Sequence, residues 1–416
     1  DTYRCVPVDS DIQVIFDFIM EPSYITTSTS DTNCAGNIRV SSDNFISSCV
    51  RMSSEPSASS HDGITNKKFT LDPVDNLSAY TTYQVRVTTG VKDALENQMT
   101  SQYTHADEFR TSAFSTTTPT SGVFVAVGQY ASSFRSIDNG TSWENETCSF
   151  FTTSNLLGIT YANNTFVAVG NNGKIVKSTD NASSWQVSTS SPSSQLNGIT
   201  FGGSTFDVVA GSGNTYYYTG SSWSNVVPPT GYQGGVYNHY NRDLYGVAFG
   251  NSTFVGVGNN GKIVISANNG ASWSNVTTGR SPYTYGSNHL RGASFGNNTF
   301  VAVGYTGKII RSTNDGSSWD NVTKVDNNNL YGVTFGNNTF VAVGESGTIL
   351  TSSDGTSWSS SSSGTSNTLN GVTFGNNIFM AVGSSGTIVK SEDNGTNWSS
   401  SSSGTTNNLY GVAFGD

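Results

Sequence analysis

All seven tryptophans of the chain fall at one position of a repeating unit: Trp143, Trp185, Trp223, Trp273, Trp319, Trp358 and Trp398. The steps between them are 42, 38, 50, 46, 39 and 40 residues, the size of a four-stranded propeller blade. Strands as short as these units contain are marginal alone and need stacked neighbours to bury both sheet faces. About three quarters of the 416 residues are thereby committed to one repeating all-β scaffold.

The clearest unit is LYGVTFGNNTFVAVGESGTILTSSDGTSW, residues 330–358. LYGVTF reads as a first strand and TFVAVG as a second. Asn337 and Asn338 make the turn between them, because asparagine tolerates left-handed backbone. TILTSS is the third strand, and Trp358 opens the fourth. First-strand segments begin at 156, 196, 244, 290, 330, 369 and 409, and second-strand segments at 124, 166, 206, 254, 300, 340 and 379. The array nevertheless enters on VFVAVG (123–128) with no first strand before it, and ends on LYGVAFGD with nothing after it. The two partial units complement each other. The pattern predicts a seven-bladed β-propeller over 123–416, with the C-terminal strand completing the first blade and removing open edges. Glycines at 158, 198, 246, 292, 332, 371 and 411 recur in the innermost strands, where close backbone approach demands a small residue.

Residues 1–115 read differently. Within 9–17 Ile12, Val14 and Phe16 take one face and Gln13 and Ile15 the other, and Tyr83, Val85 and Val87 share one face of 81–91. Segments 67–73 and 103–112 follow the same period, and no amphipathic helix of useful length intervenes. An antiparallel sandwich fits. The stretch TTTPTSG (116–122) is a short linker restricted by its proline.

The formal net charge is -10, with 12% of residues charged. No basic patch emerges, which argues against nucleic acid as a partner. No apolar run is long enough for a membrane span. No signal peptide is visible ahead of Asp1, as expected equally of a processed or a trimmed chain. Four cysteines allow three pairings. Cys34 and Cys49 could staple one excursion of the first domain, and Cys5 with Cys148 could pin the two modules together. Segment 26–66 is expected to be a stapled loop or an extra hairpin.

Two resemblances follow from these residues. The stretch VPVDSDIQVIFDFIMEPSYITTSTS, followed downstream by LSAYTTYQVRVTTGVKDALENQMTSQY and FRTSAF, resembles a bacterial Ig-like domain over roughly residues 6–113. Such domains act as spacers in exported surface proteins, and the resemblance implies no catalytic residue. Ahead of the tryptophans run SIDNGTSW (136–143), STDNASSW (178–185), SANNGASW (266–273), STNDGSSW (312–319), SSDGTSW (352–358) and SEDNGTNW (391–398), with YYTGSSW (217–223) eroded. These resemble the Asp box of sialidase-type BNR repeats, and the array is similar to propellers of exported proteins and of photosystem II assembly factors. The resemblance implies that Asp138, Asp180 and Asp393 cap their own turns and that the tryptophans pack between blades. It also raises glycosidase chemistry, which in sialidases needs an arginine cluster, a tyrosine–glutamate pair and an acid/base aspartate. Here Arg135, Arg242, Arg280, Arg291 and Arg311 are scattered. Arg135 and Arg311 share a repeat position with Lys177 and Lys390, which reads as an edge position. No pair of facing carboxyls stands out.

The two longest connections between fourth and first strands, 225–243 and 275–289, carry Tyr232, Tyr237, His239, Tyr240, Arg242, Arg280, Tyr283, Tyr285 and His289. Loops on a rigid scaffold are the usual place for recognition, and tyrosine with arginine is its usual chemistry. The expectation is a non-catalytic extracellular or cell-surface protein without cofactor or metal. Its propeller would present loops to a protein, to a glycan, or to further copies of itself in a homopolymeric fibre or layer. The alternatives are a secreted sialidase-like glycoside hydrolase and an assembly-factor scaffold.

Overall fold

The computed structural model describes residues 5–6, 8, 10–30, 32–78, 81–105, 109–111, 122–145, 154–188, 192–220, 222–228, 243–276 and 289–416. The chain divides into two compact units, Asp1–Thr118 and Pro119–Asp416.

The first unit is an Ig-like pair of sheets. Its strands are β1 (Cys5–Val6), β2 (Ile12–Ile15), β3 (Ile38–Ser41), β4 (Ser57–His61), β5 (Ile64–Leu71), β6 (Thr82–Val87), β7 (Tyr103–Thr104) and β8 (Phe109–Thr111). One sheet runs β1-β8-β6-β3 with β7 also on β6, and the other runs β2-β5-β4. Period-two alternation aims Ile12, Phe69 and Leu71 from one sheet and Ile38, Val40, Tyr83 and Val87 from the other into a common core. Cys34 and Cys49 are disulfide-bonded, with Cα atoms 4.9 Å apart. Segment 26–66 is more than an excursion. It contributes β3, which pairs antiparallel with β6 over Ile38–Ser41 and buries Ile38 and Val40 completely. The short run IRV between glycine, asparagine and serine gave too brief an alternation to read as a core strand. The side chain of Cys5 and the whole of Cys148 lie outside the described residues.

Among its described residues the second unit forms seven four-stranded antiparallel sheets, numbered 1–7 here, consistent with propeller-like blades. The first strands of sheets 2–7 are Leu156–Ala162, Leu196–Gly202, Leu244–Gly250, Leu290–Gly296, Leu330–Gly336 and Leu369–Gly375. Sheet 1 takes its first strand from the other end of the chain: Leu409–Gly415 pairs with Val123–Gly128, with Phe414 opposite Phe124. The two-residue Asn turns form as expected, Asn337 at φ 43° and Asn338 at φ 62°. Fourth strands begin one residue after the tryptophan, except in sheet 3, where Trp223–Val226 includes it.

Each sheet packs on the next through its own apolar core, and each such core holds one tryptophan. Trp319 lies in the core shared by sheets 4 and 5, Trp358 between 5 and 6 and Trp398 between 6 and 7. The core containing Trp143 joins Ile378, Met380 and Val382 of sheet 7 to Phe124, Ala126 and Phe134 of sheet 1. Along the first strands the glycines do what their recurrence implied. A Cβ on Gly198 would lie 2.6 Å from the Tyr245 carbonyl oxygen, one on Gly246 2.7 Å from that of Arg291, and one on Gly371 2.7 Å from that of Tyr410. A Cβ on Gly411 in turn would lie 3.4 Å from Gly158 Cα. Backbone touches backbone from each first strand to the next.

Arg135 corrects the edge reading of its repeat position. It is only 2% exposed, because sheet 2 closes over it and its Nη1 donates to Ser183 Oγ at 3.1 Å.

Substituting Gly246→Val places methyl groups against fixed backbone of sheet 5. Overpacking of this kind costs about 1–3 kcal/mol, so calorimetry should show a melting temperature lowered by several degrees. An unchanged transition would mean that these two strands do not touch.

Candidate functional site

The box turns spend most of their acidic groups on structure. Asp138 accepts the backbone N–H groups of Thr141 at 3.0 Å and Ser142 at 2.9 Å. Asp354 accepts those of Thr356 at 2.7 Å and Ser357 at 2.8 Å. Asp180 and Asp393 accept from Ser184 and Asn397. Asn268 and Asn314 do the same work with amide oxygens, each 2.9 Å from its donor. Hydrogen bonds from Ser357 and Thr356 hold the Asp354 carboxyl below its usual range, and those from Asn397 do so for Asp393. Carboxylates committed in this way, one per turn, do not converge on a common bond.

A different cluster forms at the start of the first strands in sheets 4, 5 and 6. The residue between the buried Leu and the inner Gly varies from sheet to sheet: Leu157, Asn197, Tyr245, Arg291, Tyr331, Asn370 and Tyr410. Each sheet also has a tight 3-10 turn between its second and third strands, starting at Asn259 in sheet 4, Tyr305 in sheet 5 and Glu345 in sheet 6. That turn donates its first N–H to the carbonyl just ahead of the same sheet's first strand, as Asn259 does to Asp243 at 2.9 Å and Tyr305 to His289 at 2.9 Å. The two variable positions are therefore brought together within each sheet.

Three such pairs lie side by side. Tyr245 OH donates to Asn259 Oδ1 at 2.9 Å. The Arg291 guanidinium carbon sits 4.0 Å from the Tyr245 ring centroid and 4.9 Å from that of Tyr305, and Nη2 donates to the Tyr305 hydroxyl. Tyr331 OH donates to Glu345 Oε1 at 2.8 Å, and Asn329 Nδ2 donates to the same oxygen at 2.7 Å. Ring contacts run onward from His289 to Tyr305, with centroids 5.0 Å apart, and from Tyr305 to Tyr331 at 6.3 Å. Among the described residues no carboxylate pairs with Arg291, and its Nε is buried without a hydrogen-bond partner.

The charge states follow from burial and neighbours. Burial, and then the Arg291 charge, lowers the pKa of His289, so the ring is neutral at pH 7 and Nδ1 accepts from Asn260 N at 3.4 Å. Burial raises the Tyr245 hydroxyl, with Arg291 opposing. Burial and the Glu345 carboxylate push Tyr331 up to about 12. Burial raises the Glu345 carboxyl, but hydrogen bonds from Tyr331 and Asn329 outweigh it and hold it below its usual range. The result is one cation flanked by neutral rings, with an ionised carboxylate already engaged by its own sheet. That arrangement suits binding by stacking and directed N–H donation more than proton transfer.

Of the binding residues expected from sequence, His289 alone falls among the described residues, and it joins this cluster. Tyr232, Tyr237, His239, Tyr240, Arg242, Arg280, Tyr283 and Tyr285 lie outside them. Sequence reading missed Tyr245, Arg291, Tyr305, Tyr331 and Glu345. The available signal was variation at two repeat positions 14 residues apart, flanked by constant Leu and Gly. Among the described residues no group of three or more His, Cys, Asp or Glu side chains is placed to hold a metal ion. No helix among them is long and apolar enough to cross a membrane.

Comparison with known proteins separates the two units. Residues 3–118 match the bacterial Ig-like domain family. No curated protein matches the chain. Among solved structures, YCF48 from Cyanidioschyzon merolae aligns at 15% identity and a TM-score of 0.46, covering 59% of this chain and 84% of that one. A structure of YCF48 bound to D1 peptide aligns at 18% identity and a TM-score of 0.46, covering 60% and 81%. The nidogen/laminin complex aligns at 8% identity and a TM-score of 0.44, covering 71% and 98%.

Replacing Arg291 with Met removes a neighbouring positive charge while keeping an apolar stem over the rings. The His289 midpoint, followed by NMR of the imidazole, should rise but stay below that of a free histidine, because burial persists. No movement would place Arg291 away from the ring.

Proposed function

We propose that the seven sheets form a closed seven-bladed propeller, and that the chain is a non-catalytic binding scaffold whose Tyr245–Arg291–Tyr305–Tyr331 cluster receives a protein partner. The inter-sheet contacts that run without a break from sheet 7 to sheet 1 support closure. Residues 1–115 would then be the Ig-like spacer, 116–122 the linker and 123–416 the propeller.

The observation that carries the binding reading is the Arg291 guanidinium clasped between two tyrosine rings with no carboxylate opposite it among the described residues. Arginine and tyrosine are the residues on which protein interfaces concentrate their energy. A guanidinium already oriented by stacking loses little further freedom when it binds. A glycosidase reading gains no comparable support. Arg135 is enclosed between sheets 1 and 2, away from Arg291 in sheet 5, and Glu345 is occupied by Tyr331 and Asn329. The Cys34–Cys49 disulfide favours an oxidising compartment, in keeping with an extracellular or cell-surface setting.

Full-length protein screened on a peptide array and a glycan array tests this. Peptide binding is expected, weakened about tenfold or more by Arg291→Ala or Tyr305→Ala, with the thermal transition essentially retained. Binding confined to glycans, or peptide binding indifferent to both substitutions, would refute the assignment.

A further inference from the structure

Strand two of every sheet repeats nearly the same sequence, and one position in it breaks the rule. The residue after the buried Phe is Val125, Val167, Val255, Val301, Val341 or Met380 in six sheets, and Asp207 in sheet 3. This position faces the next sheet. A Cβ placed on the box glycine there would lie 3.0 Å from a Val255 methyl at Gly316, and 3.1 Å from a Val301 methyl at Gly355. In sheet 3 the same contact puts Asp207 Oδ1 1.8 Å from the Cβ that Gly270 of sheet 4 lacks. The carboxyl is thus wedged into a seam that elsewhere is filled by apolar side chains.

Asp207 is fully buried, and its Oδ1 has no hydrogen-bond partner. Its Oδ2 lies 2.6 Å from Thr205 Oγ1, which also lies 3.3 Å from the Gly202 carbonyl oxygen. A hydroxyl has one proton to give. If Asp207 is protonated, its O–H donates to Thr205, and Thr205 donates to Gly202. If Asp207 is ionised, Thr205 must turn its proton to the carboxylate and leave the Gly202 carbonyl. The groups facing the carboxyl are Thr200 from the first strand of sheet 3, Tyr217 from its third strand, and Gly270 from the box turn of sheet 4. None of these carries a charge to stabilise an anion.

We infer that Asp207 makes the seam between sheets 3 and 4 a pH-sensitive joint, tight while the carboxyl is protonated and looser once it ionises. Burial raises the group to about 7, so the transition falls near neutrality. An acid whose folded value lies above its unfolded one adds stability at low pH and loses it as pH rises through the folded value. The extra stability is fully present below the ordinary aspartate value, falls as pH rises from there to about 7 and is gone above it, so the joint tightens on acidification and is already relaxed just above neutrality.

Hydrogen exchange of the full chain at about pH 5.5 and about pH 8.5, corrected for the intrinsic pH dependence of exchange, tests the joint. Segments 205–210 and 270–274 should lose protection by about tenfold or more at the higher pH, while 299–304 and 355–359, across the seam of sheets 5 and 6, should not. Asp207→Val, which restores the residue of the other sheets, should abolish the difference. Equal protection at both pH values in the natural chain, or a loss that persists in Asp207→Val, overturns the inference. Should that variant fail to fold, NMR titration of the Asp207 carboxyl in the natural chain decides. A midpoint near 7 upholds the joint, and one near the ordinary aspartate value overturns it.

Discussion

The second unit depends on backbone lying against backbone along the first strands of its sheets. Seven glycines let each first strand approach the next closely: a Cβ on Gly198, Gly246 or Gly371 would lie 2.6–2.7 Å from a carbonyl oxygen of the next strand, and one on Gly158, Gly292, Gly332 or Gly411 would make a tight contact at 3.0–3.3 Å. That spacing places the Leu before each glycine in a fully or almost fully buried position and brings the outer parts of adjacent sheets close enough for one tryptophan to fill each wedge. Several of these tryptophans are pinned as well: Trp273, Trp319 and Trp398 donate Nε1–H to the carbonyl of the box glycine three residues earlier. Turn-to-turn amide contacts such as Asn297 to Asn338 at 2.7 Å and Asn337 to Asn394 at 2.8 Å tie neighbouring sheets at a further point. A rigid inner edge is also what fixes Tyr245, Arg291 and Tyr331 relative to one another, since each stands directly before one of the close-packed glycines.

Much of this was legible in the sequence because repetition multiplies weak signals. A single TFVAVG is ambiguous, but three exact copies and four variants of it at blade-sized spacing, each followed by a glycine-containing turn and a tryptophan, define strands and turns together. The unmatched head and tail of the array foretold the Phe124–Phe414 pairing. Features that occur once were harder to read. Strand β3 is four residues long and lies inside a disulfide loop, so its alternation had no copies to support it. Arg135 shares its position with lysines, and only the packing of Ser183 against it distinguishes a buried guanidinium from an exposed amine. The Arg291 cluster draws one residue from a strand and one from a turn in each of three sheets, a grouping that no linear motif contains.

The departures from the repeat are where the chemistry concentrates. A scaffold with so few charged residues, most of its box acids engaged in turns, can place an unusual side chain against a uniform background. Arg291 and Glu345 take positions held by neutral residues in most other sheets, and Asp207 takes one held by valine or methionine. Each is accommodated because the surrounding strands are over-determined by their six counterparts, which leaves the fold tolerant of a locally costly group.

The dependence of the array on its own tail can be measured by ending the chain at Asn408 and following unfolding by calorimetry. Without Leu409–Gly415, sheet 1 lacks its innermost strand and sheets 2 and 7 each lose a neighbour, so the main transition should broaden and fall by many degrees or disappear. A shortened chain that melts with the same sharpness and midpoint as the natural one would contradict the account.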